Sequence, residues 1–206
     1  MKKLYVASKS PSRRMLLDEV GIEYIIIRQD ADELACDWTL PLEQLTQSIA
    51  LHKMEHAVLP TLKENDIIFV LTADSLVQDT FGNVHGKPES RADAVEKIKK
   101  IRQGGRCGTS FCLDRKVFKN NKWELQERIT ETIVAAYQLD ISDEWIEYYL
   151  DRYPIALEAA GGFAVEGFGS QFIKTINGSP TTIIGLPVCE VRKALQKLGF
   201  FEGIIK

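Results

Sequence analysis

Short apolar runs and amphipathic segments alternate along the first half of the chain. The apolar runs predict strands at residues 4–7, 24–28 and 67–71. The amphipathic segments predict helices at residues 11–20 and 42–58. The run I-I-F-V-L at residues 67–71 has no polar position, as expected of a strand that is buried on both faces. This alternation of strands and helices indicates an α/β fold.

The second half of the chain predicts longer strands between well-delimited helices. Ser90 and Asp93 form a capping pair at the start of one helix. Two strands, at residues 110–118 and 123–136, flank an Asn-Asn turn. Further helices are predicted at residues 142–149, with Trp145 on the buried side, and at residues 188–198. The whole pattern predicts an α/β protein with a mixed sheet.

The composition is that of an ordinary globular protein, with 45% hydrophobic and 27% charged residues and a formal net charge of −3. A chain of 206 residues fits a single domain spanning 1–206, in one or two lobes. The slightly negative charge argues against broad binding of nucleic acid or of a membrane surface. Since the sequence has no signal pattern and no apolar run long enough to span a bilayer, we expect a cytoplasmic protein. The four cysteines form no CxxC pair, which argues against a disulfide framework or a zinc ribbon.

The segment A-S-K-S-P-S-R-R, which begins at residue 7, combines the features of an anion site. It joins a predicted strand to a predicted helix and places Arg13 and Arg14 near the helix start. Backbone N–H groups at a helix start and guanidinium groups are the donors that a multiply charged anion requires. The simpler alternative is a serine-capped helix with solvated arginines, and both interpretations stay open.

Three further segments carry candidate polar groups. The T-A-D-S segment places Asp74 directly after the buried strand, where α/β sheets bind ligands, although a turn aspartate that caps backbone N–H groups also fits. The G-K-P segment holds Lys87 between a flexible and a rigid residue, as many surface turns do. The acidic residues Asp30, Asp32 and Glu33 could bind Mg²⁺ or Mn²⁺ near a phosphate, or form a solvated loop.

The segment H-K-M-E-H, from His52 to His56, fits the inverted zinc-peptidase pattern H-x-x-E-H. Histidines four residues apart lie on one face of a helix. A zinc site of this type needs a third ligand, and the only other histidine of the chain is His85. We therefore interpret the pattern as two histidines on a mostly exposed helix, with a zinc peptidase as the competing hypothesis.

Taken in order, these motifs resemble those of the Maf family of nucleoside triphosphate pyrophosphatases. The matching segments are A-S-K-S-P-S-R-R at residue 7, D-E at residue 32, the lysine at 53, T-A-D at residue 72, G-K-P at residue 86, A-G at residue 160, E-G-F-G at residue 166 and G-L-P at residue 185. Each match is short, but the ordered set is specific and spans almost the whole chain. The resemblance implies a fold similar to Maf and ITPase proteins, with a mixed twisted sheet in two lobes around a deep cleft.

The resemblance also implies hydrolysis of a nucleoside triphosphate to the monophosphate and pyrophosphate, with Mg²⁺ or Mn²⁺ as the cofactor. Asp74 is the implied base that activates water, and it would share the divalent cation with Glu33. The implied substrate-binding residues are Ser8, Ser12, Arg13, Arg14, Lys53, Ser75, Lys87 and Glu166. The implied partner is the nucleotide, with no nucleic acid and no membrane, and a homodimer is compatible with the resemblance.

Two features of the sequence bear on the choice of nucleotide. The spacing S-P-x-R-R and the glutamate of E-G-F-G resemble the motifs of family members that act on 7-methyl-GTP. Members of the dTTP/UTP type have motifs that resemble S-P-R-R, and they have a glutamine in the late loop. Ser12 and Ser75 match neither type, and G-T-S-F at residues 108–111 replaces the usual Y-T-G pattern. These departures keep two alternatives open: a dTTP/UTP pyrophosphatase, and a nucleotide-binding regulator of cell division with impaired catalysis.

Overall fold

The computed structural model describes residues 3–203, which form seven strands and six helices joined by loops and 3-10 turns. The strands are β1 (Leu4–Val6), β2 (Tyr24–Ile26), β3 (Ile67–Asp79), β4 (Val84–His85), β5 (Gly105–Lys119), β6 (Lys122–Leu139) and β7 (Ile173–Asn177). The helices are α1 (Pro11–Glu19), α2 (Leu42–Glu55), α3 (Arg91–Ile101), α4 (Asp143–Arg152), α5 (Pro180–Ile184) and α6 (Val188–Lys197).

All seven strands belong to one sheet of mixed orientation. Six of them follow the order β2-β1-β3-β5-β6-β7, and β4 pairs with β3. The strand β1 runs parallel to both β2 and β3, with Val6 opposite Leu71 of β3. The strands β6 and β7 are antiparallel. The predicted α/β class with a mixed sheet is therefore confirmed.

The described residues divide into two compact units, each built from separate segments of the chain. The first unit comprises the segment from residue 3 to Asp74, Ser110–Thr132 and the segment from Leu186 to residue 203. The second unit comprises Ser75–Thr109 and Ile133–Gly185. The division falls inside β3, β5 and β6, so each of these strands contributes residues to both units.

Each unit has its own hydrophobic core. In the first unit, Met54 of α2 packs with Val70 of β3 and Cys112 of β5. In the second unit, Ile98 of α3 and Tyr149 of α4 are fully buried in one cluster. Burial of such side chains is the main favourable contribution to folding. Every helix within residues 3–203 is too short or too polar to cross a membrane.

The strand β3 is longer than the sequence pattern predicts, since it continues through the T-A-D-S segment to Asp79. The prediction that Asp74 directly follows the strand is therefore wrong, and Asp74 lies inside it. Thr72 and Asp74 are polar residues that follow the apolar run, yet they are only 0% and 5% exposed. Each of them has a hydrogen-bond partner on α2. Buried polar groups are tolerated when they are hydrogen-bonded, so the strand does not end where the apolar run ends.

Most other predicted helices and strands are present, but several begin or end at other residues than predicted, and one side chain that is predicted to be buried is exposed. The helix α2 ends at Glu55 rather than at residue 58. The strands β5 and β6 are longer than predicted, and both residues of the Asn120-Asn121 turn between them have positive φ angles, of 50° and 60°, which suit a two-residue hairpin. The prediction that Trp145 is buried is wrong, since the side chain is 46% exposed. The residues that α4 buries are Ile146, Tyr149 and Leu150.

Candidate active site

The serine-rich turn between β1 and α1 holds Arg13 by both its backbone and its side chain. Ser10 is the N-cap of α1, and its hydroxyl accepts a hydrogen bond from the Arg13 N–H at 3.4 Å. The hydroxyl of Ser8, which is almost fully buried, accepts from Arg13 Nη1 and from the Ser10 N–H, each at 3.3 Å. Pro11 at the start of the helix fixes the backbone of the turn. The guanidinium group of Arg13 is therefore directed toward the end of β1.

Lys53 of α2 holds two carboxylates together. Its Nζ lies 2.7 Å from Asp74 Oδ1 and 2.8 Å from Glu33 Oε1. The side chains of Lys53 and Asp74 are 9% and 7% exposed, whereas that of Glu33 is 45% exposed. The ammonium group offsets the cost of burying Asp74 as a charged group. We call Glu33, Lys53 and Asp74 the Lys53 centre.

The topology of the first unit determines where the turn that holds Ser8 and Ser10, which we call the Ser8 turn, lies relative to β3. The Ala7 N–H, directly after β1, donates to the Leu71 carbonyl at 2.9 Å, so β1 stays paired with β3 up to its last residue. Because the two strands run in the same direction, the chain that follows β1 leaves the sheet beside the part of β3 that carries Asp74. The parallel pairing thus places a turn rich in donors beside the part of β3 that carries Asp74.

The carboxylates of Glu33 and Asp74 fit the ligand chemistry of Mg²⁺ and Mn²⁺. The second oxygen of Asp74, Oδ2, is buried and has no hydrogen-bond partner within residues 3–203. An orphaned carboxylate oxygen of this kind suits a cation or a water molecule. Mg²⁺ is commonly held by one or two carboxylates together with substrate phosphates, so this pair is sufficient. In the same described range, no three or more His, Cys, Asp and Glu side chains are grouped so that they could hold a metal ion by themselves.

Ser75 and Lys87, which are predicted to bind the substrate, lie in the second unit. Ser75 Oγ is 2.9 Å from Thr109 Oγ1 and 3.4 Å from the Gly185 carbonyl oxygen. Lys87 Nζ donates to Glu158 Oε2 at 2.9 Å, and these two side chains are 60% and 62% exposed. An ion pair between such exposed groups contributes little to stability, so a phosphate can replace Glu158 on Lys87 at low cost.

Arg14 and Arg13 have different neighbours. Burial and a hydrogen bond to Asp18 raise the pKa of Tyr24 in β2, and the positive charge of the exposed Arg14 partly offsets this shift. Arg14 is therefore close to the Tyr24 hydroxyl, whereas Arg13 contacts Ser8. Ser12 lies half-buried in the first turn of the same helix. Of the two predicted arginine ligands, Arg13 is the one that the turn orients.

Glu166 stands at the start of the 3-10 turn Gly167–Phe172 in the late glycine-rich segment. It is half-buried, and its side chain makes no capping hydrogen bond to this turn. Burial raises the pKa of both Tyr149 and Tyr153, and the negative charge of Glu166 adds to each shift, which places the carboxylate close to two phenol groups. A Cβ atom at Gly167, where φ is 55°, would lie 2.5 Å from the Tyr153 hydroxyl oxygen, so the segment can approach this ring only with a glycine there.

The segment G-T-S-F at residues 108–111, which replaces the usual Y-T-G pattern of the family, lies in a buried part of β5. Thr109, Ser110 and Phe111 are fully buried. In the second unit, Thr109 Oγ1 is 2.7 Å from the Thr182 carbonyl oxygen. In the first unit, Ser110 Oγ donates to Thr46 Oγ1 at 2.9 Å. The hydroxyl groups that replace the usual Y-T-G pattern are thus used within the fold.

The histidine pair of the zinc-peptidase pattern is not part of a larger cluster. The rings of His52 and His56 are 4.3 Å apart, and His56 Nδ1 lies 2.9 Å from the His52 carbonyl oxygen. His56 lies beyond the end of α2. Within residues 3–203 there is no third ligand grouped with this pair. Lys53, which follows His52 in the sequence, faces Asp74 instead.

One contribution to the site is anticipated in the sequence and one is not. The serine cap that the simpler interpretation of the A-S-K-S-P-S-R-R segment predicts is present, since Ser10 caps α1 and accepts from the Arg13 N–H. Thr72 Oγ1 donates to the Ala50 carbonyl of α2 at 2.7 Å. The sequence carries no signal for the Thr72 contact, because its acceptor is a backbone group 22 residues away.

Comparison with known proteins identifies the family. A family model described as Maf-like protein matches residues 3–198. The dTTP/UTP pyrophosphatase of Caldicellulosiruptor bescii is 30% identical, over 97% of this chain and 96% of its own length. The nucleoside triphosphate pyrophosphatase of Trichormus variabilis is 34% identical, over 95% of this chain and 93% of its own length. The solved structure of the Staphylococcus aureus Ham1 protein is only weakly similar, with a TM-score of 0.40 and 16% sequence identity. The match covers 98% of this chain and 99% of the Ham1 chain. Because the Maf model and these relatives cover nearly the whole chain, the chain belongs to the Maf family.

Proposed function

We propose that this chain is a nucleoside triphosphate pyrophosphatase, a hydrolase that cleaves between the α- and β-phosphates and releases the nucleoside monophosphate and pyrophosphate. The observation that carries the proposal is the Lys53 centre, in which one ammonium group contacts the carboxylates of Glu33 and Asp74. The names of the relatives support the same reaction. Such a reaction needs cationic groups on the phosphate oxygens, a base for the attacking water and a divalent cation.

Arg13 and Lys53 are the proposed cationic ligands of the triphosphate in the first unit. Ser8 orients the Arg13 guanidinium, which can donate two parallel hydrogen bonds to a phosphate group. The Lys53 ammonium has three rotatable donors, so it can contact a phosphate oxygen and still retain a carboxylate. The further proposed substrate-binding residues are Ser12, Arg14, Ser75 and Lys87.

Asp74 is the proposed general base. Its Oδ1 accepts a hydrogen bond from Lys53, while its buried Oδ2 has no partner in the described part of the chain and can accept a proton. In the proposed step, a water molecule gives a proton to Asp74 as its oxygen bonds to the α-phosphorus. The bond between the α-phosphorus and the bridging oxygen breaks, and pyrophosphate leaves with the electron pair. Lys53 keeps the carboxylate oriented during this step.

A divalent cation, Mg²⁺ or Mn²⁺, is proposed to bind to Glu33 and Asp74. When bound, such a cation neutralises negative charge on phosphate oxygens. Both carboxylates contact the same positive group, the Lys53 ammonium, and this shared contact supports a common cation. Glu33 and Asp74 would hold the cation, and Lys53 would keep their carboxylates oriented.

The function is tested by incubating the purified protein with a panel of nucleotides that includes GTP, 7-methyl-GTP, UTP and dTTP. Pyrophosphate and the nucleoside monophosphate are measured with Mg²⁺, with Mn²⁺ and with a chelator. Formation of both products supports the proposal, whereas formation of a nucleoside diphosphate and phosphate contradicts it. Nucleotide binding without turnover would instead favour the regulator of cell division with impaired catalysis.

Among the nucleotides, 7-methyl-GTP is the substrate that the chemistry of Glu166 favours. An ionised carboxylate only accepts hydrogen bonds, and the N1–H and N2–H₂ groups of guanine form an edge of donors. Methylation at N7 adds a positive charge that a nearby carboxylate stabilises. Glu166 is half-buried beside Tyr149 and Tyr153, so its charge is less screened than on an open surface.

A dTTP/UTP pyrophosphatase is the second candidate, because the relative from Caldicellulosiruptor bescii carries that name at 30% identity. Uracil and thymine present one donor between two acceptors, an edge that an amide matches better than a carboxylate does. A glutamate in the place of such an amide would face a carbonyl oxygen at a cost of about 1–3 kcal/mol. The nucleotide panel distinguishes the two candidates directly.

Replacing Glu166 by Gln tests the proposed role of this carboxylate. We expect the ratio of kcat/KM for 7-methyl-GTP to that for UTP to fall by about tenfold or more, because the amide loses the charge and gains a donor. The measurement is the rate of pyrophosphate release with each nucleotide at subsaturating concentration.

The matched control for this change is Glu158→Gln, the same replacement in the same unit. Glu158 contacts Lys87 rather than the tyrosines, so its replacement should leave the ratio between the two nucleotides unchanged. If Glu166→Gln slows all nucleotides alike, Glu166 supports the glycine-rich segment and does not recognise the base.

A further inference from the structure

Thr72 places a hydroxyl group in the apolar part of β3, two residues before Asp74. The residue is fully buried, and its hydroxyl donates a 2.7 Å hydrogen bond to the Ala50 carbonyl inside α2. A buried hydroxyl is costly unless it is hydrogen-bonded, so this contact is what makes a threonine acceptable here. The bond joins the strand that carries Asp74 to the helix that carries Lys53.

The Thr72–Ala50 bond lies next to the Lys53–Asp74 ion pair on both elements. Asp74 follows Thr72 by two residues, so the two side chains lie on the same face of β3. Lys53 follows Ala50 by three residues, so it lies on the same face of α2, about one turn further on. The two contacts, each 2.7 Å long, are therefore neighbours between the helix and the strand.

A directional bond at this position restricts a movement that apolar packing restricts only weakly. Dispersion contacts depend little on direction, so they tolerate small shifts of a helix along a strand, whereas a hydrogen bond weakens steeply when its geometry is lost. Catalytic groups need to be held to within about 0.5 Å. The side chain of Lys53 is 9% exposed, so its packed stem cannot freely compensate for a shift of α2.

We propose that Thr72 is a positioning residue, which fixes α2 on β3 through Ala50 and so sets the geometry between Lys53 and Asp74. The inference rests on the proposed function, because it assumes that Lys53 and Asp74 act in catalysis. It does not depend on which nucleotide is the substrate, because Thr72 acts on the protein groups and not on the base.

Two replacements of Thr72 are expected to separate stability from activity. Thr72→Val keeps the shape and removes the hydroxyl, and it leaves no orphaned carbonyl because Ala50 also accepts the intrahelical bond from residue 54. We expect the urea midpoint to change little while kcat falls about tenfold and KM stays within about twofold. Thr72→Ser keeps the hydroxyl but loses a buried methyl group, so it should lower the urea midpoint and keep kcat near the wild-type value.

The matched control is Thr46→Val, on the same helix. Thr46 is also fully buried, and its hydroxyl bonds to the Leu42 carbonyl at 3.0 Å and accepts from Ser110. It is seven residues from Lys53, so its replacement should leave kcat within about twofold. Equal losses of kcat in Thr72→Val and Thr46→Val would overturn the proposal, because they would indicate a general loosening of α2. An unchanged kcat in Thr72→Val would overturn it as well.

A second measurement tests the geometry without using turnover. Acetic anhydride acetylates a lysine more slowly when the ammonium group is ion-paired and buried, and mass spectrometry reports the extent at Lys53. We expect acetylation of Lys53 to be several-fold faster in Thr72→Val than in the wild-type protein, Thr72→Ser or Thr46→Val. Equal acetylation rates in all four would contradict the positioning role even if the wild-type protein hydrolysed no nucleotide. The absence of wild-type turnover, with the expected acetylation pattern, would contradict the proposed function alone.

Discussion

Replacing Asp74 by Asn is expected to slow pyrophosphate release by about 10²–10⁴-fold, the usual contribution of a general base. The amide keeps the shape of the side chain, and its oxygen can still accept the hydrogen bond from Lys53 that Asp74 Oδ1 accepts at 2.7 Å. Lys53 also retains Glu33 at 2.8 Å, so the fold should be preserved. Steady-state kinetics, together with the affinity for a non-hydrolysable triphosphate, separates loss of turnover from loss of binding.

The same strand offers a matched control, Asp79→Asn. Asp79 is also buried, and its carboxylate accepts hydrogen bonds from the backbone N–H groups of Phe81 and Asn83 and contacts His85 Nε2 at 2.9 Å. Burial alone would raise the pKa of Asp79, but hydrogen bonds from Asn83 and His85 lower it to about 2. Its replacement should therefore lower stability at neutral pH and leave kcat of the folded protein largely intact. A near-wild-type rate for Asp74→Asn would remove Asp74 from the role of base.

The second large effect is expected for Arg13→Ala. Loss of the guanidinium should weaken binding of a nucleoside triphosphate by about tenfold to a hundredfold, since hydrogen bonds between charged groups contribute about 1.5–3 kcal/mol. Binding of the monophosphate should weaken much less, because it lacks the β- and γ-phosphates. Equilibrium binding of both nucleotides to the same variant measures this difference.

Arg14→Ala is the matched comparison for this prediction, because Arg14 is adjacent in sequence but lies near Tyr24. We expect it to weaken triphosphate binding less than Arg13→Ala does. Equal weakening of triphosphate and monophosphate binding by Arg13→Ala would place Arg13 away from the β- and γ-phosphates. An effect of Arg14→Ala as large as that of Arg13→Ala would mean that the nucleotide draws Arg14 away from Tyr24.

The features of the fold that the sequence predicts well are those determined by residues close together in the chain. Ser90 caps α3 by accepting from the Asp93 N–H at 3.1 Å, as the capping pair indicates. The Asn120-Asn121 turn joins β5 to β6 because asparagine adopts positive φ more readily than most residues. In both cases the signal and the structure that it specifies lie within four residues of each other.

The features that the sequence does not predict depend on partners far along the chain. The length of β3 is one example, since Thr72 and Asp74 are accommodated by Ala50 and Lys53 of α2. The exposure of Trp145 is another, because the periodicity of α4 does not show which of several neighbouring apolar positions the core has room for.

The candidate site shows the same division between local and distant contacts. Local pattern indicates a donor-rich turn at Arg13 and an acidic loop at Glu33. The resemblance to the Maf family selects Lys53 and Asp74, which composition and periodicity leave ambiguous. The contact of Lys53 with both carboxylates appears only in three dimensions, because it requires the pairing of β1 with β3 and the packing of α2.

The discontinuity of the first unit has a consequence for protein synthesis. The Ser8 turn and the Lys53 centre lie within the first 74 residues, yet their unit also requires Ser110–Thr132 and the segment that begins at Leu186. Within it, the rings of Phe69 and Phe200 pack edge to face, 5.1 Å apart. A ribosome must therefore translate beyond residue 186 before these late contacts can form, although the candidate catalytic side chains emerge much earlier. Nascent chains that stop before residue 186 should carry every residue of the centre and still lack a working site.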